Sequence, residues 1–192
     1  GTMFLYLTST NNGGCLEEQG NVQINFVTPP SSNFSFTEEC LYNESVFNDF
    51  SLPGFGPIDS WQWNFGDSGT STNQNETHNY AAAGIYNVEL IVGNSAAGCY
   101  DTTTLQVEAF ELPTANFTFT PNNACGNLPV QFTNTSTGNG LTYSWNFGDP
   151  TSGNNTATAS NPTHTFSATG AANVNYNVSL TVTNSNGCSS SQ

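Results

Sequence analysis

Trp-Asn-Phe-Gly-Asp stands at residues 63–67 and returns unchanged at residues 145–149. The same features follow each copy in the same order: a Thr-His step, an aromatic residue, an alternating apolar and polar run, an Asn-Ser pair and a Gly-Cys step. Self-similarity of this kind is typical of an array of like modules. The sequence therefore predicts tandem modules, each built around one copy of the pentapeptide.

The repeat also predicts the domain boundaries. Residues 1–28 match the second half of the repeat, which indicates the C-terminal part of a preceding module. Residues 31–110 are expected to form a complete module, and residues 113–192 a module that lacks its last strand. Short linkers containing Pro29 and Pro113 separate the modules, and because proline stiffens the chain, they favour a semi-rigid array. We expect a segment of a longer polypeptide, with a stand-alone protein as the alternative.

The pattern of short runs predicts an all-β fold. Runs rich in Phe, Val, Thr and Tyr alternate with turns of Gly, Asn, Pro and Ser, and no window shows the helical period. Six or seven short strands in about 80 residues indicate an antiparallel β-sandwich of the immunoglobulin type. The strands are expected near residues 22–27, 34–37, 44–50, 59–65, 77–80, 85–92, 102–108, 117–120, 129–134, 141–147, 163–166 and 176–183.

The charge balance excludes several partners. The 192 residues include no Lys or Arg and 14 Asp or Glu, so the formal net charge is −14. Nucleic acid is excluded as a partner, because neutralising its phosphates needs basic side chains. No apolar run reaches the roughly 18 residues of a transmembrane helix, so direct membrane insertion is not expected. Aromatic residues make up 12% of the chain, which favours small folded cores over disorder.

The five cysteines follow the repeat. Cys40 and Cys125 hold equivalent places early in their modules. Cys99 and Cys188 hold equivalent places before the last strand. Matching positions in each copy predict the disulfides Cys40–Cys99 and Cys125–Cys188, and leave Cys15 to pair upstream of residue 1. Disulfides form in oxidising compartments, so an exported, extracellular chain is expected, with free thiols in a cytosolic protein or metal binding as alternatives.

The repeated motifs resemble the PKD domain family, whose signature is Trp-x-Phe-Gly-Asp-Gly followed by Pro-x-His-x-Tyr and Gly-x-Tyr-x-Val. This chain departs from it at Ser68, Glu76 and Pro150. The resemblance implies immunoglobulin-like sandwiches that serve as spacers and adhesive modules outside cells. The residues that carry it, which we expect to be structural, are Trp63, Phe65, Gly66, Asp67, His78, Tyr86, Trp145, Phe147, Gly148, Asp149, His164 and Tyr176.

The cysteine-bearing, Asn- and Thr-rich tandem form resembles the large surface adhesins of Bacteroidota. That resemblance implies type IX secretion, and includes the adhesins of gliding motility. Asp101-Thr102-Thr103 is similar to the O-glycan acceptor of that phylum, which makes Thr102 a possible O-glycan site. The partners implied are neighbouring modules of the same chain, and surface glycans or proteins.

The sequence offers little catalytic chemistry. Asp67 and Asp149 could be metal ligands or acids, but carboxylates that accept backbone N–H groups in a glycine turn are the simpler interpretation. His78 and His164 occupy equivalent positions, one per module, which favours a structural role over a catalytic pair. Some PKD modules bind calcium, and the adjacent pairs Glu38-Glu39 and Glu17-Glu18 lie near module junctions, although no EF-hand spacing supports a site. We therefore expect no cofactor, with calcium as the open alternative.

Two functions remain in competition. The first is a non-catalytic structural segment, a stalk or filament, of a large repeat-containing cell-surface adhesin. The second is an accessory module of an exported enzyme that binds glycan or protein through exposed aromatics such as Phe55 or Tyr100. No Gly-x-Ser-x-Gly elbow or comparable constellation supports an enzyme in its own right.

Overall fold

The computed structural model describes residues 2–7, 20–121, 127–167 and 174–192. For residues 2–7 and 20–25 it describes the backbone alone. Every regular element in these ranges is a β-strand, so the all-β fold class is confirmed. None of the described residues forms a helix with the length and hydropathy needed to cross a bilayer.

Seventeen strands are formed by the described residues. Those up to Phe110 are β1 (Thr2–Leu7), β2 (Gly20–Asn25), β3 (Phe34–Phe36), β4 (Glu39–Cys40), β5 (Ser45–Asp49), β6 (Ser60–Asn64), β7 (Thr70–Ser71), β8 (Glu76–His78), β9 (Gly84–Asn94) and β10 (Cys99–Phe110). The remainder are β11 (Phe117–Thr120), β12 (Pro129–Asn134), β13 (Thr142–Asn146), β14 (Thr156–Ala157), β15 (Thr163–Thr165), β16 (Ser179–Thr183) and β17 (Ser189–Ser191).

Each repeat forms one three-stranded sheet and one larger sheet. In the first repeat the strand orders are β3-β5-β8 and β4-β10-β9-β6-β7. In the second they are β11-β12-β15 and β14-β13-β16-β17, which is the same arrangement without a counterpart of β4 among the described strands. Strands β1 and β2 pair with each other as an antiparallel hairpin. The repeated sequence therefore gives a repeated topology.

One strand pair departs from the antiparallel expectation. Strand β4 runs parallel to the end of β10, with Glu39 opposite Ala109 and Cys40 opposite Phe110. Sequence patterning does not predict β4, because two residues are too few to show an alternation. The same reason applies to β7 and β14, which are also two residues long.

The last strand of the second repeat corrects a prediction. We expected that repeat to lack it, but Ser189–Ser191 pairs with β16, with Ser191 opposite Thr181. The backbone of Gln192 extends the pairing, since its N–H donates to the carbonyl of Leu180 and its carbonyl accepts the N–H of Leu180. A run of serines carries no apolar alternation, so only the pairing reveals the strand.

The chain divides into two compact units. The first takes in the described residues up to Thr37, together with Ser45–His78 and Tyr86–Val107. The second takes in Glu38–Glu44, Asn79–Ile85 and the described residues from Glu108 onward. Two short segments of the first repeat by sequence thus belong to the second unit.

Aromatic side chains fill the core of the first unit. Trp63 and Phe47 are fully buried. The Trp63 ring packs edge-on against Phe34 at a centroid distance of 5.1 Å and lies 5.8 Å from Phe47. The indole N–H donates to the carbonyl of Asn73, so the large ring is buried without an unpaired polar group.

The second unit repeats this core at equivalent positions. Trp145 is fully buried, packs edge-on against Phe117 at 5.0 Å, and donates its indole N–H to the carbonyl of Ala159. Phe132 lies 5.5 Å from the Trp145 ring and 5.3 Å from Phe147. The two tryptophans therefore have like surroundings, as tandem copies of one module require.

Candidate functional site

A glycine turn ends the tryptophan-bearing strand in each repeat. Gly66 and Gly148 have φ values of +84° and +68°, in the left-handed region that glycine tolerates best. The turn also brings two backbones close together, because a Cβ built on Gly148 would lie 2.3 Å from the carbonyl oxygen of Asn177. Glycine is required here for both reasons, and the turn aims the next residue, an aspartate, back at the sandwich.

Gly148→Ala should lower the free energy of unfolding of the second unit by about 2–4 kcal/mol. The left-handed conformation accounts for about 1–2 kcal/mol, and the contact with the Asn177 carbonyl adds to it. Urea denaturation followed by circular dichroism measures the change. The matched control is Gly153→Ala in the same unit, where an added Cβ has nothing within 4 Å and the variant should stay close to the wild type. Equal stability of the two variants would contradict the argument.

Asp67 and His78 form a hydrogen-bonded pair in the first unit. His78 Nε2 lies 2.7 Å from Asp67 Oδ2, while the N–H of Gly69 donates to Asp67 Oδ1 at 2.9 Å. The His78 ring stacks on Phe65 at 4.2 Å with an interplanar angle of 5°. The pair thus holds the loop after Asp67 against the edge of the aromatic core.

Asp149 and His164 are the equivalent residues in the second unit, but they are buried more deeply. Asp149 has no exposed surface, and its oxygens accept bonds from the N–H of Ser167 at 3.0 Å and the hydroxyl of Thr151 at 2.8 Å. His164 Nε2 lies 3.5 Å from Asp149 Oδ2 and is left without a hydrogen-bond partner among the described residues. The His164 ring stacks on Phe147 at 4.3 Å, as its counterpart does in the first unit.

Both aspartates are held in the charged form. The backbone N–H of Ser167 is the main cause that lowers the pKa of Asp149 below its ordinary value, and Thr151 and His164 add to it against the opposing effect of burial. For Asp67, burial raises the pKa, but the bonds from His78 and Gly69 outweigh it and the net shift is downward. A pKa that the fold depresses means that the charged carboxylate stabilises the folded state.

Acid should therefore destabilise the second unit through Asp149. Its stabilising contribution is present above the ordinary carboxyl pKa of 3.8 and is lost as the pH falls below that value through the folded-state pKa. We expect the melting temperature of the wild type to fall more steeply between about pH 4 and pH 2 than that of Asp149→Asn, because the asparagine at position 149 does not titrate. Calorimetry at a series of pH values makes the comparison. Parallel curves for the two proteins would contradict the assignment.

The paired Asp and His side chains anchor the glycine turns. Each pair contacts its own aromatic core and the backbone of its own loop. The described residues also contain no group of three or more His, Cys, Asp or Glu side chains that could hold a metal. Calcium near Glu38 stays a prediction, and Glu17 and Glu18 lie outside the described residues. The Glu38 carboxylate accepts a bond from the backbone N–H of Glu108 at 3.3 Å.

The remaining predicted positions are placed as follows. Tyr86 is half-buried on β9. Tyr176 is half-buried, stacks on Phe166 at 4.6 Å and donates its hydroxyl proton to the carbonyl of Ser167. Thr102 is exposed on β10, which leaves its hydroxyl accessible, and O-glycosylation there stays a prediction.

The disulfide pairing predicted from the repeat is wrong. Cys40 is bonded to Cys188, across 148 positions of sequence, with a Cα–Cα distance of 5.6 Å. Cys99 is half-buried with a free thiol, so Cys40–Cys99 and Cys125–Cys188 are both contradicted. Cys125 and Cys15 lie outside the described residues. The repeat identifies which cysteines are equivalent. Which cysteines are bonded depends on contacts between the end of the first repeat and the second repeat.

Two hydrogen bonds to the carbonyl groups of consecutive residues explain the observed pairing. The N–H of Leu41, next to Cys40, donates to the carbonyl of Phe110 at 2.8 Å. Asn184, in the turn before Cys188, donates its side-chain N–H to the carbonyl of Glu111 at 2.9 Å. Since Phe110 and Glu111 are consecutive, they bring the two cysteine-bearing segments together. Both segments belong to the second unit.

Comparison with known proteins agrees with this architecture. Residues 28–109 and 111–192 each match the family model of the PKD domain. The chain is similar to the PKD1 domain of Vibrio anguillarum Epp, with 26% identity over 44% of this chain and 96% of that one and a TM-score of 0.41. It is also similar to the PKD1 domain of the Vibrio cholerae metalloprotease PrtV, with 30% identity, 43% and 98% coverage and a TM-score of 0.40.

A carbohydrate-binding module of the β-sandwich superfamily is similar at 16% identity, over 79% of this chain and 84% of that one, with a TM-score of 0.41. The immunoglobulin-like sandwich expected from the sequence is confirmed by the family match together with the strand order. PKD domains are non-catalytic modules, and with a disulfide they indicate an extracellular domain. The chain belongs to the PKD domain family and contains two of its domains in tandem.

Proposed function

We propose that the chain is a non-catalytic structural segment, a stalk or filament, of a large repeat-containing adhesin at the cell surface. The observation that carries the proposal is the close equivalence of the two PKD domains. Each buries the same Trp-Phe core and ends its tryptophan strand in the same Gly-Asp turn, with a His side chain beside the Asp carboxylate. Selection on a spacer acts on the fold alone. Copies of a spacer therefore keep their cores and need no cluster of reactive side chains.

The surface of the chain supports the same proposal. It carries no Lys or Arg, and its polar groups are mostly neutral Asn, Thr, Ser and Gln. Neutral hydrogen bonds are hardly screened by salt, unlike surface ion pairs, so such modules suit an environment of variable ionic strength. The resemblance to Bacteroidota adhesins extends the proposal to export by the type IX system and to a part in gliding motility.

Surface labelling in the organism that encodes the chain tests this function. Antibodies raised against the two PKD domains should label intact cells, and proteinase K added outside the cells should remove the label. A strain that lacks the gene is the control for specificity, and a cytoplasmic protein that stays unlabelled is the control for lysis. The deletion strain should also attach to surfaces or glide less well. Label that appears only after lysis would overturn the proposal.

Exposed aromatic side chains favour a second candidate, an accessory module that binds glycan or protein for an exported enzyme. Phe55 and Tyr100 are 62% and 57% exposed. Large aromatic rings in water are available for stacking on sugar rings or on apolar groups of a protein. The proposal needs these two side chains to contribute binding energy.

A glycan array probed with the purified chain separates the two candidates. The accessory function predicts a signal that falls at least tenfold in Phe55→Ala or Tyr100→Ala, which corresponds to a loss of about 1.4 kcal/mol or more. Tyr42→Ala, at a residue that is 70% exposed, is the matched control and should retain the signal. A structural segment predicts no signal that depends on Phe55 or Tyr100.

A further inference from the structure

The free thiol of Cys99 occupies the same place in the first repeat that the bonded Cys188 occupies in the second. Cys99 opens β10, and Cys188 directly precedes β17, the matching strand. Each follows a glycine with positive φ, +64° at Gly98 and +84° at Gly187. The two cysteines therefore hold equivalent positions, each between a glycine turn and the start of the last strand of its repeat.

An asparagine closes both turns. Asn94 Oδ1 accepts the N–H of Ala97 at 2.9 Å, and Asn184 Oδ1 accepts the N–H of Cys188 at 2.9 Å. In the second repeat the other end of this side chain binds the linker, because Asn184 Nδ2 donates to the carbonyl of Glu111. That bond is one of the two that bring Cys188 to Cys40.

The first repeat holds its own linker in a related way. Thr28 precedes the Pro29-Pro30 linker, as Glu111 precedes the second linker. Its carbonyl accepts the N–H of Phe55 at 2.9 Å, and the carbonyl of Phe55 accepts Asn94 Nδ2 at 2.9 Å. The turn that carries Cys99 is thus bound to the linker before the first repeat through Phe55. The turn that carries Cys188 is bound directly to the linker before the second repeat.

We propose that Cys99 forms a disulfide with the cysteine equivalent to Cys40 in a PKD domain that precedes it in the parent protein. Each junction of the array then carries one disulfide, from the early cysteine of one module to the late cysteine of the next, as Cys40–Cys188 does here. The inference rests on the proposed function in one respect, that further modules precede this one. It is independent of what the array adheres to.

The bond forms by ordinary thiol oxidation. The two thiols lose two protons and two electrons, and one S–S bond is made. A small-molecule disulfide such as oxidised glutathione accepts the electrons by thiol–disulfide exchange, and its own S–S bond is broken to give two thiols. An oxidising extracellular compartment supplies oxidants of this class.

A hybrid chain tests the pairing directly. Residues 29–83 are joined in front of Gly1 of the complete chain, so that the added front half of a module meets the C-terminal part expected at residues 1–28. The added copy carries Tyr42→Phe, which marks its cysteine peptide by mass. The protein is refolded with oxidised and reduced glutathione, alkylated and cleaved after Glu and Asp, because it has no site for trypsin. Linked peptides are then identified without reduction.

The expected result is a linked peptide that joins Cys40 of the added copy to Cys99, together with the original Cys40–Cys188 bond. Alkylation of Cys99, nearly complete in the unextended chain, should become nearly undetectable. In the Cys99→Ser hybrid, the added Cys40 should become open to alkylation. A folded hybrid in which Cys99 is still alkylated overturns the proposal. Since the experiment supplies the preceding module, that failure would leave the surface-labelling test of the proposed function unaffected.

A second variant keeps the test decisive if the hybrid module does not fold. In this variant a complete added module, residues 29–110, stands directly before Thr28 of the original chain. The added copy carries Tyr42→Phe and Tyr100→Phe as mass markers. Its Cys40 then has two choices, the Cys99 of its own module and the Cys99 of the next. A bond to the next module supports the proposal, whereas a bond within the added module, or none, overturns it.

Discussion

Phe132→Ala should lower the free energy of unfolding of the second unit by about 3–5 kcal/mol. The side chain is 1% exposed, and its ring contacts both Trp145 and Phe147 at centroid distances below 6 Å. Truncation removes apolar surface from this core, and the surrounding strands can collapse only in part. Calorimetry of the variant and the wild type measures the loss.

Phe47→Ala is the matched variant in the first unit. Phe47 is fully buried and lies 5.8 Å from Trp63 and 5.2 Å from Phe65, so it holds the same position in the other copy. We expect a loss of similar size, confined to the first unit. Leu128→Ala, at a residue that is 52% exposed, is the control and should cost less than about 1 kcal/mol. If Phe132→Ala behaved like Leu128→Ala, the core assignment would be wrong.

Removal of the disulfide should have the other large effect. Cys40→Ser with Cys188→Ser is expected to lower the free energy of unfolding of the second unit by about 2–5 kcal/mol. The closed loop spans 148 positions, for which loop-closure entropy alone gives about 5 kcal/mol. A first unit that stays folded shortens the flexible part of that loop and reduces the effect. Urea denaturation of the second unit, with and without reductant, measures it.

Cys99→Ser is the control for this prediction. Its thiol is free, and its one described bond is a weak contact with the carbonyl of Ala97 at 3.6 Å. The substitution should leave the urea midpoint unchanged in the unextended chain. Reductant should shift the wild type and Cys99→Ser alike, and should not shift the double variant. A wild type that is insensitive to reductant would contradict the assigned bond.

The cores and the turns could be predicted from the sequence. Trp63 and Phe65 alternate with polar residues on one strand, and this period of two fixes which side chains face inward. The Gly-Asp step that follows is a turn signal with a physical cause, since only glycine accepts the conformation at Gly66 without strain. Because the repeat contains both features twice, it also predicted two like modules.

The disulfide could not be predicted in the same way. A repeat shows that Cys40 and Cys125 are equivalent and that Cys99 and Cys188 are equivalent, but pairing within a module and pairing between neighbours satisfy it equally. The choice depends on bonds from Leu41 and Asn184 to two consecutive carbonyls, and backbone acceptors have no sequence signature. Short polar strands such as β17 were missed for a related reason, because pairing rather than composition defines them.

The bridge between Cys40 and Cys188 also decides how the chain responds to tension. A pull applied before Cys40 and after Cys188 passes through the sulfur atoms, so the chain between the two cysteines, whose sequence separation is 148, is shielded from the force. Fully stretched, that length of chain would extend by about 500 Å. While the disulfide is intact, this length of chain cannot extend. A tether built from such segments therefore stays short under a load that would unfold and extend a tether without the disulfides.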